Sequence, residues 1–312
     1  MAIIPKQIVM KIMVCSDGSE RAREALLSAA IIAAATKAEI TILGITEIEQ
    51  DQRRLLEVLY EEIQVFQEKG VKVDVVTKSG DPVQKIIQRT REITYDLVVI
   101  GAKRQRAQES FLPSAKAYSI IEKIAPPVLL VPKSRLHLKR ILICSGGASY
   151  IDNAVRFTCE IAKDLSASIT LLTVVPEPPA MHATLFRRQD DLDALLNSDS
   201  ELARNLRNEK ALIERAGVPV SVKIRHGIVI DQILGEAEHA DCDLIVVGSW
   251  PVRDLWRNYV IGNVTREIVN RTDRPILVVR SDKEPISLAD RLRSIVTKLA
   301  SKKGYTRRLS EA

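Results

Sequence analysis

Val14-Cys15-Ser16-Asp17-Gly18 and Ile143-Cys144-Ser145-Gly146-Gly147 share one pattern, an apolar run ending in a small polar turn, at a separation of 129 residues. The separation holds without a gap through Ala25 and Ala154, Ala38 and Ala167, Ile40 and Ile169, and Leu43 and Leu172. Further on it widens to 147 residues, at Gly70 and Gly217, Gly80 and Gly227, and Asp96-Leu97-Val98-Val99-Ile100-Gly101 against Asp243-Leu244-Ile245-Val246-Val247-Gly248. Pro127-Val128-Leu129-Leu130-Val131 and Pro275-Ile276-Leu277-Val278-Val279 then agree at 148, so the second copy carries 18 extra residues in its middle and one more near its end. A unit of about 140 residues exceeds a solenoid repeat and suits an independent domain. A chain of 312 residues has room for two. The expected division is 1–135, then 136–281 with an insertion near 176–196, then a tail at 282–312.

Within the first copy, β-branched runs at Ile8 to Cys15, Ile40 to Ile45, Val71 to Val76, Leu97 to Ile100 and Val128 to Val131 read as strands. Between them lie helical stretches at Glu20 to Thr36, Asp51 to Lys69, Pro82 to Ile93 and Ala115 to Ile124. Strands that are apolar throughout, each followed by a helix, form a parallel sheet covered on both faces, and right-handed crossovers leave few topologies. The fold class is α/β: two tandem doubly wound domains with helices on both faces of each sheet.

Composition narrows the function. At 46% hydrophobic and 28% charged residues the chain has the makeup of a folded protein, and 4% aromatics is too few for stacking platforms on single-stranded nucleic acid. The longest apolar run, Ala29 to Ala35, is too short for a bilayer. The start, Met1-Ala2-Ile3-Ile4-Pro5-Lys6, lacks the order of a secretion signal, so a cytoplasmic location is expected. Of the net charge of +6, residues 282–312 supply +4, through eight basic and four acidic side chains. The body is nearly neutral, and no nucleic-acid face is expected on it. Cys15, Cys144, Cys159 and Cys242 have no metal or redox spacing, and the histidines stand singly; buried thiols and no metal centre are expected.

Ligands of doubly wound sheets bind beyond the carboxyl ends of the strands, where the strand order reverses. In the first copy this brings together Ser16-Asp17-Gly18-Ser19-Glu20, Gly101-Ala102-Lys103-Arg104 and, after a loop, Ser114-Ala115. On these residues the chain resembles the universal stress proteins, in their tandem form, over nearly all of residues 6 to 280. The resemblance rests on Asp17-Gly18-Ser19, on Gly80-Asp81-Pro82 opening a helix, on Asp96 to Gly101, and on Pro127 to Val131. It implies a five-stranded sheet of order 3-2-1-4-5 in each domain, pairing of the domains through their last strands about a pseudo-twofold axis, and a regulatory role. In members that bind ATP, the fourth strand leads into G-x2-G-x9-G-[ST], whose backbone amides hold the phosphates, and the Asp after the first strand lies near the nucleotide.

Both copies depart from that pattern. In the first, Gly101 keeps the first glycine, while Arg104 and Ser114-Ala115 replace the rest. Glycine there lets backbone approach phosphate with no Cβ in the way. Lys103, Arg104, Arg106 and Lys116 either hold phosphate through side chains or form a solvated surface. Asp17 either serves the nucleotide or caps the helix that follows. In the second copy Gly248 and Gly262-Asn263 are kept, Pro251 replaces the second glycine, and Gly146 and Ala148 stand where Asp17 and Ser19 would. Asn263 either substitutes for the hydroxyl or caps the last helix. The candidate nucleotide-contacting residues are Asp17, Gly18, Gly101, Arg104 and Ser114 in one crevice, and Gly146, Gly147, Gly248, Gly262 and Asn263 in the other.

Remaining features are weaker. Ser145-Gly146-Gly147-Ala148-Ser149 is similar to the loop of the PP-loop ATP pyrophosphatases, but lacks their Asp; successive amides there suit an anion. His239 to Asp243 gathers ligand-type residues before a strand, yet Asp243 matches Asp96 in a copy with neither His nor Cys. Met181, Leu185 and Phe186 of the insertion suit a lid or a packed surface loop, and Trp250 and Trp256 fill space beside the second phosphate loop. Leu288, Leu292, Ile295, Val296 and Leu299 form a helical stripe in a basic tail, suited to packing on the body, to a protein partner or to an anionic membrane surface. The expected function is a non-enzymatic stress-response regulator that senses an adenine nucleotide, ATP, at a degenerate site; the alternatives are a nucleotide-free interaction protein and, remotely, an ATP-cleaving enzyme.

Overall fold

A computed structural model of the chain describes residues 9–102, 113–146, 151–175, 191–249 and 264–280. The first copy runs β1 (Lys11–Ser16), α1 (Glu20–Thr36), β2 (Glu39–Thr46), α2 (Gln52–Glu62), α3 (Gln64–Gln67), β3 (Val73–Ser79), α4 (Pro82–Glu92), β4 (Leu97–Gly101), α5 (Pro113–Lys123) and β5 (Val128–Val131). The second runs β6 (Arg140–Ser145), α6 (Asp152–Asp164), β7 (Ser168–Val175), α7 (Asp191–Leu196), α8 (Glu201–Arg215), β8 (Val220–His226), α9 (Val229–His239), β9 (Leu244–Ser249), a helix at 264–271, and β10 (Ile276–Arg280).

All ten strands form one sheet, in the order β3-β2-β1-β4-β5-β10-β9-β6-β7-β8. Read inward from either end, each half has the expected order 3-2-1-4-5, parallel throughout. The halves meet where β5 and β10 pair antiparallel, with Leu129 opposite Leu277. Those two leucines are equivalent positions of the repeat, so the pseudo-twofold axis passes between them. Arg266 and Tyr118, also equivalent positions, meet near the same axis: the guanidinium carbon lies 4.6 Å from the ring centroid. Burial pushes the Tyr118 phenol up to about 12 against the opposing charge of Arg266.

Two apolar layers cover the sheet, and each continues across both halves. One lies under α1, α2, α6 and α8 and includes Leu26, Leu59, Phe66, Val155 and Leu206; the other lies under α4, α5, α9 and the helix at 264–271. The alanine run of α1 explains how that helix sits so close to the sheet, with Ala25, Ala29, Ala30 and Ala33 all fully buried.

The segment between the copies is tied to both. Ser134 donates its amide to Glu24 Oε2 on α1 at 2.6 Å, and Lys139 and Arg140 both donate theirs to Asp243 Oδ2 at 2.9 Å. Asp96 repeats this clamp in the first copy, where it accepts from the Lys11 amide at 2.8 Å. Asp243 is thereby the acceptor that starts β6 beside β9, which accounts for the acid at the end of the His239 to Asp243 run without a metal.

Several boundaries differ from the sequence reading. β1 starts at Lys11 rather than Ile8, and the stretch expected as one helix over 51–69 opens in a 3-10 turn at Glu49–Asp51 and breaks at Ile63 into α2 and α3. Cys15, Cys159 and Cys242 are buried as expected, and Cys144 is half-buried. The 18-residue insertion includes α7; residues 176–190, with Met181, Leu185 and Phe186, lie outside the described residues. So do Trp250, Trp256 and the tail 282–312. Among the described residues no helix is long and apolar enough to cross a membrane.

Candidate functional site

At the carboxyl ends of β1 and β4, where the strand order of the first half reverses, the walls enclose a crevice of about 290 Å³. This is the lower edge of the size of small-molecule sites. Its floor is apolar, from Cys15, Ile45, Ile86, Ile100 and Ile120, and its rim carries Asp17, Ser19, Arg21, Glu47 and Lys116. Cys15 is no reactive thiol, since burial pushes its pKa up to about 12.

The turn between β1 and α1 is built by side chains that satisfy its own backbone. Ser16 Oγ accepts from the Gly18 amide at 3.1 Å, and Asp17 Oδ1 accepts from the Ser19 amide at 3.0 Å. Gly18 takes φ +75°, a left-handed conformation that side chains disfavour. The cap of α1 is Ser19, whose hydroxyl accepts from the Ala22 amide at 3.3 Å. Asp17 is therefore not the cap that the sequence offered as its competing role; it shapes the turn two residues earlier and stands exposed at the rim.

Gly101 lies in the wall as expected, but its strongest constraint comes from inside the protein. A Cβ there would stand 2.4 Å from the carbonyl oxygen of Arg21, so the end of β4 and the first turn of α1 can approach only through a glycine. Ser114 falls in the first turn of α5, whose Lys116 reaches the crevice. Arg104 lies outside the described residues, as do Lys103 and Arg106.

The second half arranges the equivalent ground differently. Gly146 follows β6 and is exposed, and Gly248 lies on β9 opposite Val279 of β10; Gly147, Gly262 and Asn263 lie outside the described residues. Ser145, equivalent to Ser16, directs its hydroxyl into the protein and donates to Glu209 Oε1 of α8 at 3.1 Å. Glu209 is fully buried, and its burial, opposed by the Ser145 hydrogen bond and reinforced by Asp152, pushes its pKa up to about 8. Glu62 holds the same position in the first half, with its pKa raised by burial and by Asp17 against the pull of Arg23. Neither acid was singled out from sequence. The signal was present: both lie at the repeat separation of 147, between Leu59 and Phe66 in one copy and Leu206 and Ile213 in the other, on a helix face otherwise apolar.

The sequence profile of the universal stress protein family matches this chain twice, over residues 9–132 and 137–280. The chain belongs to the universal stress protein family. A universal stress protein of Synechocystis is 20% identical over 305 residues that span 86% of this chain and 99% of the relative. A universal stress protein of Methanocaldococcus jannaschii is 26% identical over 146 residues, which are 47% of this chain and 84% of that one. Among solved structures, a universal stress protein from Archaeoglobus fulgidus superimposes with a TM-score of 0.66 at 18% identity, covering 86% of this chain and 98% of its own. The two matched segments place one universal stress protein domain on each half of the ten-stranded sheet.

Proposed function

We propose that this universal stress protein is a cytoplasmic stress-response regulator whose first domain binds an adenine nucleotide in the crevice between β1 and β4. The observation that carries the reading is the crevice itself: it stands at the reversal of strand order, apolar at its floor, with Asp17, Ser19, Arg21 and Lys116 at its rim. An apolar floor suits a planar base, the exposed Asp17 carboxylate would accept from hydroxyls, and Lys116 would offer charge to a phosphate in place of the missing motif glycines. The second domain has Gly146 at the place of Asp17 and turns Ser145 toward Glu209, so one nucleotide per chain is the expected stoichiometry. A bound nucleotide would act by shifting conformation or partner, with no turnover required.

One observation favours a second reading, an interaction protein that needs no nucleotide. Gly101 is demanded by its approach to Arg21 whether or not a phosphate ever binds, so its presence is no vote for a ligand. Calorimetric titration of the full chain with Mg-ATP separates the two. A stoichiometry near one, weakened about tenfold by Lys116→Ala and by Asp17→Ala, supports the sensor. No heat and no thermal shift into the millimolar range supports the interaction protein. Release of AMP and pyrophosphate during the same incubation would instead favour ATP cleavage of the PP-loop kind.

A further inference from the structure

Away from the nucleotide crevice, α6 and α8 of the second domain flank a cleft of about 240 Å³ lined by Asp152, Arg156, Asn205, Asn208, Leu212 and Arg215. Two guanidiniums and two side-chain amides converge there. Neither Arg156 nor Arg215 has a carboxylate partner among the described residues, although other surface arginines of this domain do, as Arg271 does with Asp231 at 2.7 Å.

The repeat supplies an internal control. The same positions between α1 and α2-α3 hold Arg23, Leu27, Val58, Glu61, Val65 and Glu68. Three residues beneath these positions keep their character, Leu59 with Leu206, Glu62 with Glu209, and Phe66 with Ile213, all on the sheet-facing side. The solvent-facing line has changed in charge. Leu27 has become Arg156, Val58 has become Asn205, and Glu61 and Glu68 have become Asn208 and Arg215. The lining thus passes from two acids and one base to two bases and one acid. Solubility alone asks for charge of either sign and would not place both bases and both amides around one cavity. A planar guanidinium presents paired donors matched to the oxygens of a phosphate or carboxylate, and asparagine amides add donors and acceptors for neighbouring hydroxyls.

We propose that the cleft between α6 and α8 binds a small oxyanion, a phosphate ester or a carboxylate, through Arg156 and Arg215, and that this site belongs to the second domain alone. It is separate from the nucleotide crevice, so its test does not depend on nucleotide binding.

The experiment is a set of titrations of the full chain at low salt with inorganic phosphate, glycerol 3-phosphate and citrate, followed by calorimetry and by amide chemical shifts. Saturable binding of at least one anion is expected, with shifts on α6 and α8; preference between the phosphates and citrate tells which oxyanion the site takes. Arg156→Leu and Arg215→Glu, which install the first domain's own residues, are each expected to weaken binding about tenfold or more. Asn208→Glu provides a third variant that leaves both arginines in place, and an unchanged thermal melt establishes that each variant is folded. The proposal is overturned if none of the three anions saturates in the millimolar range, if the shifts map elsewhere, or if folded Arg156→Leu and Arg215→Glu bind as the parent does.

Discussion

Glu62 and Glu209 stand 147 residues apart at one position of the repeat, and each keeps its Oε2 buried without a hydrogen-bond partner. A buried carboxyl short of acceptors and donors is costly when ionised and much cheaper when protonated. Glu62 ends α2, which packs on β2 and β3, Glu209 lies on α8, which packs on β8, and Ser145 donates to the second.

Glu209 should make stability depend on pH in the direction opposite to most carboxylates. Its pKa is raised from the ordinary 4.5 to about 8, so the native state keeps a proton that the unfolded chain has lost between those values. Stability contributed at this site is then full at low pH and falls as pH rises toward 8, by up to about 1.4 kcal/mol per pH unit. Glu209→Gln, which preserves the acceptor for Ser145, is expected to flatten that slope and to exceed the parent's stability at pH 8 in urea denaturation; an unchanged slope would contradict the assignment.

Gly101→Ala and Gly235→Ala are expected to move stability in opposite directions. The first drives a Cβ to 2.4 Å from a backbone carbonyl oxygen that has no room to yield, at a cost of about 2 kcal/mol or more. The second meets nothing within 4 Å on an exposed face of α9 and should gain about 0.5–1 kcal/mol through helix propensity. Chemical denaturation of both variants checks the pair.

Glu236 anchors the outer strand of the second half. Its buried carboxylate accepts from Lys223 Nζ at 2.6 Å and from Arg225 at 3.0 and 2.5 Å, both on β8. Burial would raise its pKa, but those hydrogen bonds and charges outweigh burial and hold it below the ordinary range. Its contribution is therefore present at neutral pH and lost as pH falls through that lowered value. Glu236→Gln should cost about 2 kcal/mol at pH 7, the half-exposed cations softening what a fully buried pair would lose, and clearly less in acid. A cost that does not shrink in acid would mean that packing, not charge, is what Glu236 supplies.

Asp243→Ala should destabilise more than Asp96→Ala, although the two acids are equivalent. Asp243 is 1% exposed and satisfies two backbone amides of the segment that joins the domains, whereas Asp96 is half-buried and satisfies one. A difference of about 1 kcal/mol is expected from the extra hydrogen bond and deeper burial, readable in thermal melts.

The repeat and the alternation of elements were legible because they rest on local periodicity: α1 occupies the interval Glu20–Thr36 that its alanine run marks out. The break at Ile63 was not, since Leu55, Leu59, Ile63 and Phe66 keep one apolar stripe across it. Asp17 and Ser19 are both good caps by residue type, and only the path of the turn decides between them. Gly101 could be read as a phosphate glycine because sequence does not show that Arg21 lies behind it. The cleft at Arg156 and Arg215 was hidden for a similar reason: its residues come from two helices, and nothing in either segment alone says that the charges converge.

The stacking of Arg266 on Tyr118 has a consequence for how such a molecule can change. Near the twofold axis of a dimer of identical chains a residue meets its own copy, so the only contacts available there are like with like: two rings, or two repelling guanidiniums. A cation on an aromatic face needs two different residues at what is formally one position. Covalent fusion of the halves is what permits that contact, and it equally frees each half to acquire chemistry that the other never has to tolerate.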